Sequence, residues 1–244
     1  MKKLIFCVVL LLTGCAPSHE KSSAQKIVDA SIEAYGGKAW EDLHLEFKFR
    51  KHNYHLYRKQ NQFRYVRKAL DSAAPYIDSL WSDGRFTRHQ NQMLVQLSDS
   101  LKKVYSASVN SVLYFVQIPH ILNDAAVIKT QLPDQSINGK TYHSIKITFQ
   151  KEGGGEDFQD EFRYWIDPKT YSIDYMAYNY LTDGGGTRFR VAYNQRTIGT
   201  IRVQDYRNLK PNATFTPLDS LPKLFESGKL QQLSVIKNTH WEIY

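Results

Sequence analysis

Two hydrophobic periods alternate along the chain. Val28, Ile32 and Tyr35 recur at helical spacing, with Ile27 and Ala34 beside them. Ser22 and Gln25 have the spacing of an N-terminal capping box, and Gly36-Gly37 offers the positive φ on which helices commonly stop. From Leu43 the period drops to two. Leu43, Leu45, Phe47 and Phe49 alternate with His44, Glu46, Lys48 and Arg50, the pattern of a strand with one buried face. Similar runs predict strands over 54–58, 62–67, 85–89, 93–97, 142–149, 158–166, 171–180, 187–193 and 198–206, and a last one over 232–244. Asp83-Gly84, Asn138-Gly139 and Asp167-Pro168-Lys169-Thr170 read as tight turns between them. Within this β pattern the stretch 106–117 returns to the helical period, with Val109, Val112, Leu113 and Val116 on one face, until Pro119 stops it.

So many short strands with tight turns predict a mainly β (α+β) fold. A single curved antiparallel sheet would form an incomplete β-barrel, with the two helices covering its concave face. No repeat and no second domain boundary is visible in residues 24–244.

The first residues follow a different logic. Lys2 and Lys3 precede an unbroken apolar run, Leu4–Leu12. Its nine residues fall far short of the roughly 20 needed to span a bilayer, but suit a signal-peptide core. Leu12-Thr13-Gly14-Cys15 resembles the bacterial lipobox. That resemblance implies a signal peptide at 1–14, a diacylglycerol and an acyl chain on Cys15, and a polar tether to residue 23. These covalent lipids are the only cofactor-like groups expected. The alternatives are an ordinary secretory peptide or an N-terminal anchor helix. Ala16 after the cysteine, in place of Asp, resembles an outer-membrane address.

Processing changes the charge and the thiol chemistry. The 244 residues carry 32 Lys and Arg against 24 Asp and Glu, a formal +8 that loses Lys2 and Lys3 on cleavage. Both cysteines, Cys7 and Cys15, lie in this segment, so no disulfide framework or thiol nucleophile is expected in the mature domain. The 23% charged and 13% aromatic content excludes a disordered chain.

No catalytic motif is present: neither Gly-x-Ser-x-Gly, His-Glu-x-x-His nor a phosphate-binding glycine loop. Glu152, Glu156, Asp157, Asp160 and Glu161 surround Gly153–Gly155 and read as a solvated loop sooner than a calcium site. His52 and His55, three apart in a strand, turn to opposite faces, which argues against shared metal binding. Basic and aromatic residues interleave from Arg50 to Lys68; behind a lipobox, anionic headgroups or glycans are more reachable partners than nucleic acid. Four Asp-Ser-apolar triplets, at Asp71, Asp78, Asp99 and Asp219, resemble an envelope O-glycosylation signal.

The helix ending Ala34-Tyr35-Gly36-Gly37, Trp40 and the run Tyr164-Trp165-Ile166-Asp167-Pro168-Lys169-Thr170-Tyr171 carry a further resemblance. The chain is similar to bacterial envelope lipoproteins allied to the outer-membrane lipoprotein-sorting carrier and receptor superfamily, best over 24–50 and 139–180. That resemblance implies a half-barrel whose apolar cavity holds acyl chains without chemistry. Leu45, Phe47, Phe49, Ile145, Ile147, Phe149, Phe189 and Val191 are the residues expected to face inward, although a solid core has the same signature. The anchor departs from the soluble carriers, and no counterpart of the receptor's exposed apolar loop is evident. The expected protein is a membrane-anchored, non-enzymatic envelope lipoprotein binding a lipid or other apolar ligand. The alternatives are a structural or interaction module with a filled core and, less favoured, an envelope hydrolase.

Overall fold

The computed structural model describes residues 21–70, 72–153 and 158–244, so Cys15, the signal segment, Asp71 and the tip of the acidic loop lie outside the described residues. Helix α1 (Ser23–Ala34) begins where Ser22 Oγ accepts the Gln25 N–H at 3.2 Å. At its end Gly36 adopts φ +122°, and a Cβ there would meet Ile201 Cδ1 at 2.8 Å and Thr200 O at 2.9 Å.

The first sheet follows as β1 (Asp42–Phe49), β2 (His52–Lys59), β3 (Gln62–Ala69), β4 (Tyr76–Trp81), β5 (Phe86–Gln90) and β6 (Met93–Leu94), a continuous antiparallel meander. After it comes helix α2 (Asp99–Val116). The second sheet is the meander β7 (Val127–Ile137), β8 (Lys140–Phe149), β9 (Glu161–Ile166), β10 (Ile173–Tyr180), β11 (Gly186–Ile198), β12 (Ile201–Lys210) and β13 (Gln231–Ile236), with the short helix α3 (Leu221–Glu226) before its last strand. Finally β14 (Asn238–Ile243) returns to pair with β1. Two open antiparallel sheets of seven strands result.

Periodicity implies one sheet; the hydrogen bonds divide it in two. β13 pairs with β12 and β14 with β1, and Lys237 alone separates them. At this joint the Asn238 N–H leaves the ladder and donates to Asp205 Oδ1 at 3.3 Å. Arg196 donates to the same Oδ1 at 3.2 Å and to the Asn238 carbonyl at 2.9 Å, while Asn194 donates to Asp205 Oδ2 at 2.6 Å. A fully buried carboxylate with this many donors is stable where an unpaired one would not be.

Both sequence-predicted helices cover one side of the sheets, here called inner. α1 packs Ala24, Val28 and Ile32 on Ile145, Ile147, Tyr164 and Met176 of the second sheet. α2 packs Val109 and Leu113 on Leu45, Phe47, Leu56 and Tyr65 of the first. The outer face of the second sheet is covered as well: Trp165, Tyr175, Phe189 and Val191 pack beneath Leu218 and α3. Two strands escaped the periodic reading. β4 buries the charged Asp78 at its centre, and β7 is an edge strand with a register shift around Pro133 and Asp134. α2 begins two turns earlier than its apolar stripe, capped by Ser98, because Leu101 and Val104 stay exposed. No helix among the described residues is long and apolar enough to cross a membrane.

Candidate functional site

Between the two inner helices, where the sheets meet, lies a cavity of about 690 Å³. Its walls come from α2 (Val112, Phe115, Val116), from the β1–β2 corner (Phe49, His52, Tyr54), and from the joint (Ile236, Asn238, Trp241). Arg50, Lys51, Ser108 and Ser111 form an exposed rim. At the other end Tyr35, Gln204 and Tyr206 are buried and mutually bonded. The Tyr35 hydroxyl donates to Gln204 Oε1 at 2.7 Å and accepts the Ile173 N–H at 3.0 Å, and the Gln204 amide donates to Tyr206 Oη at 2.6 Å. Burial raises the pKa of both tyrosines, which keeps these hydroxyls protonated.

The charge on the lining has one sign. Arg50, Lys51, Arg67, Arg190 and Arg202 reach it, and no Asp or Glu among the described residues does. Arg67 and Arg88 share the fully buried Asp78 across β3, β4 and β5: Arg67 Nη2 and Arg88 Nε each donate to it at 2.6 Å, and Arg67 Nη1 donates to Ser108 Oγ of α2 at 2.8 Å. Two guanidiniums against one carboxylate leave a net positive charge. On the opposite wall Arg190, 7% exposed, donates to Tyr178 Oη at 2.9 Å and lies against the rings of Phe115 and Tyr178. Its Nε has no hydrogen-bond partner, and no carboxylate pairs with it among the described residues. A guanidinium in that setting is desolvated without full compensation.

Of the eight residues expected to face a pocket, Phe49 lines this cavity. Leu45 and Phe47 are buried beneath α2, and Ile145, Ile147 and Phe149 pack with α1 and the segment that follows α2. Phe189 and Val191 point to the outer face, under α3. On β11 it is Arg188 and Arg190 that turn inward, toward Tyr180 and Tyr178. Alternation correctly groups Phe189 with Val191 but cannot say which side their group takes. α3, which covers that side, has six residues and no readable stripe. The Asp78 triplet lies mid-strand, with its Asp buried in ion pairs. The basic run 50–68 forms the β2–β3 hairpin, where Arg58 bonds Gln117 and Arg64 stacks on Tyr57.

A second constellation lies on the outer face of the first sheet. His44 and Glu46 alternate with core residues on β1, and register places His55 of β2 directly opposite Glu46. His44 Nε2 is 3.0 Å and His55 Nδ1 2.7 Å from Glu46 Oε1. As expected, His52 and His55 face apart: His52 bonds Tyr76 at the cavity wall. His55 instead joins His44, two positions before Glu46 on the same strand face. That i, i+2 pair was visible in the sequence; the cross-strand partner was not.

Two open meanders carrying inner helices define a half-barrel fold. Its solved relatives include a DUF1329-family protein from Desulfovibrio piger, at 10% identity over 91% of this chain and 93% of that one, TM-score 0.51. A protein from Vibrio parahaemolyticus described as an outer membrane lipoprotein-sorting protein domain matches at 8% identity over the same shares, TM-score 0.44. No curated protein matches the chain. A family model covers residues 2–238, and the chain belongs to that family, DUF6503, a family of unknown function.

Proposed function

We propose that this protein is a lipid-anchored, non-enzymatic envelope lipoprotein that holds an anionic, acyl-bearing amphiphile between its two sheets. The observation that carries this reading is the cavity. Its volume is in the usual range for ligand sites, aromatic and aliphatic side chains make up half of its walls, and among the described residues every Lys, Arg, Asp or Glu side chain on its lining is basic. Arg190 supplies the sharpest feature, a buried cation without a carboxylate, which a ligand carboxylate or phosphate would satisfy by charge-assisted hydrogen bonds. The apolar tail would lie along Phe49, Val112, Phe115, Val116 and Trp241.

Native mass spectrometry of protein beginning at Ser22, followed by displacement of a fluorescent fatty acid, tests the reading. Co-purifying lipid and displacement by palmitate ahead of uncharged hexadecanol are expected. If no lipid co-purifies and no fatty acid binds, the proposal fails. The anchor is tested separately on the full chain: Cys15→Ser should abolish metabolic labelling by palmitate, and retained labelling would refute the lipidation.

A further inference from the structure

We propose that His44, Glu46 and His55 form a binding site for a divalent transition metal of the zinc class, on the outer face of the first sheet and separate from the cavity. Two imidazoles and one carboxylate are a donor set that zinc accepts, with the fourth position left to water. Ligand atoms about 2 Å from a tetrahedral centre lie roughly 3.3 Å apart. Here the two nitrogen–oxygen separations are 2.7 and 3.0 Å, and all three ligand atoms fall within 4.8 Å of one another.

Their orientation carries the argument further. Both nitrogens are within hydrogen-bond distance of Glu46 Oε1, but neither the His44 Nε2 nor the His55 Nδ1 contact is aligned as a good hydrogen bond. The His55 side chain is 5% exposed, so water offers little substitute. Short contacts without alignment are what results when donors aim at a shared point between them. Buried polar atoms are otherwise nearly always satisfied.

The neighbours hold this arrangement in place. His44 stacks on Tyr57 from β2 at 4.1 Å and on Tyr244, which follows β14, at 4.6 Å, so both flanking strands fix its ring. Glu242 of β14 stands opposite Glu46 and adds a second carboxylate to the face. Lys68, two places along β3 from the Val66 that stands opposite His55, brings a positive charge to the same face. The side chains of His44 and Glu46 are 28% and 29% exposed, which leaves an approach from solvent.

Zinc uptake by the full, untagged chain in detergent, after treatment with chelator, tests the site. Calorimetry should show one equivalent of zinc bound, and cobalt substituted at the same stoichiometry should give the visible bands of a tetrahedral centre. His44→Gln and Glu46→Gln should each weaken zinc binding at least tenfold and remove those bands, with far-ultraviolet dichroism confirming the fold. Lys68→Met, which leaves every ligand intact, should tighten zinc binding several-fold. Absence of uptake by the wild-type chain overturns the proposal. So does uptake that His44→Gln and Glu46→Gln leave unchanged, which would place the metal elsewhere, or an affinity that Lys68→Met does not raise.

Discussion

The guanidinium carbon of Arg190 lies 3.7 Å from the centre of the Phe115 ring, joining the wall of the second sheet to the helix that caps the first. A stacked, largely desolvated guanidinium gains from the ring, but not enough to replace its hydration. Arg190→Met keeps the volume and removes the charge. Its stability in urea should change by no more than about 1 kcal/mol, or increase. Affinity for palmitate should fall about tenfold, equivalent to 1.4 kcal/mol, while affinity for hexadecanol stays the same. Equal losses for both ligands would remove the charge-recognition role.

Asp78 presents the reverse case. It is the carboxylate that holds Arg67 and Arg88, and both bonds are short and buried. Asp78→Asn leaves two guanidiniums against a neutral amide. Urea denaturation should show a loss of about 3–5 kcal/mol, the usual cost of breaking a buried pair from one side. A loss below about 1 kcal/mol would mean that solvent already compensates these arginines.

Tyr35 ties the end of α1 to the second sheet. Tyr35→Phe strands the Ile173 N–H and removes one partner of Gln204, both inside the protein. A destabilisation of about 1–3 kcal/mol is expected, with little change in ligand affinity if the hydroxyl serves only the fold. A matched pair of denaturation and displacement curves checks both halves.

The pH dependence should centre on His120, which stacks on Trp40 at 5.9 Å. Burial first, and the Arg58 charge second, push its pKa down to about 4 from 6.5. The unfolded chain therefore takes up this proton before the folded one does. The associated stability is fully present above about pH 6.5 and is lost as pH falls toward 4. Because the ring is only partly buried, the loss is about 1–2 kcal/mol after allowance for screening. His120→Gln should flatten this part of the Tm-versus-pH profile. A smaller slope should remain, since burial also lowers the pKa of His52 and His55.

Much of this fold was legible because local signals agreed with the packing. Ser22 caps α1, Leu43 to Phe49 alternates as β1, and the helical stripe from Val109 to Val116 lies on α2. What was not legible depends on relations between elements. Phe189 and Val191 were grouped rightly and placed on the wrong side, because period two assigns parity and not direction. Arg190 reads locally as a polar residue facing solvent; only the position of α2 above it makes it part of a cavity. His44 and His55 meet through the β1–β2 register, which the pattern of either strand alone cannot supply.

The joint at Lys237 has a consequence for what the protein can hold. Arg67 stands on one sheet and Arg190 on the other, and the strands that link these sheets are separated by one residue, roughly 7 Å of backbone at full extension between Ile236 and Asn238. Asp205 and Arg196 set the bend there. The gap between the two cationic walls is thus calibrated by a corner whose setting residues, Lys237, Asp205 and Arg196, lie outside the lining. Substitutions at that corner can widen or narrow the gauge for a new guest while every contacting side chain stays the same.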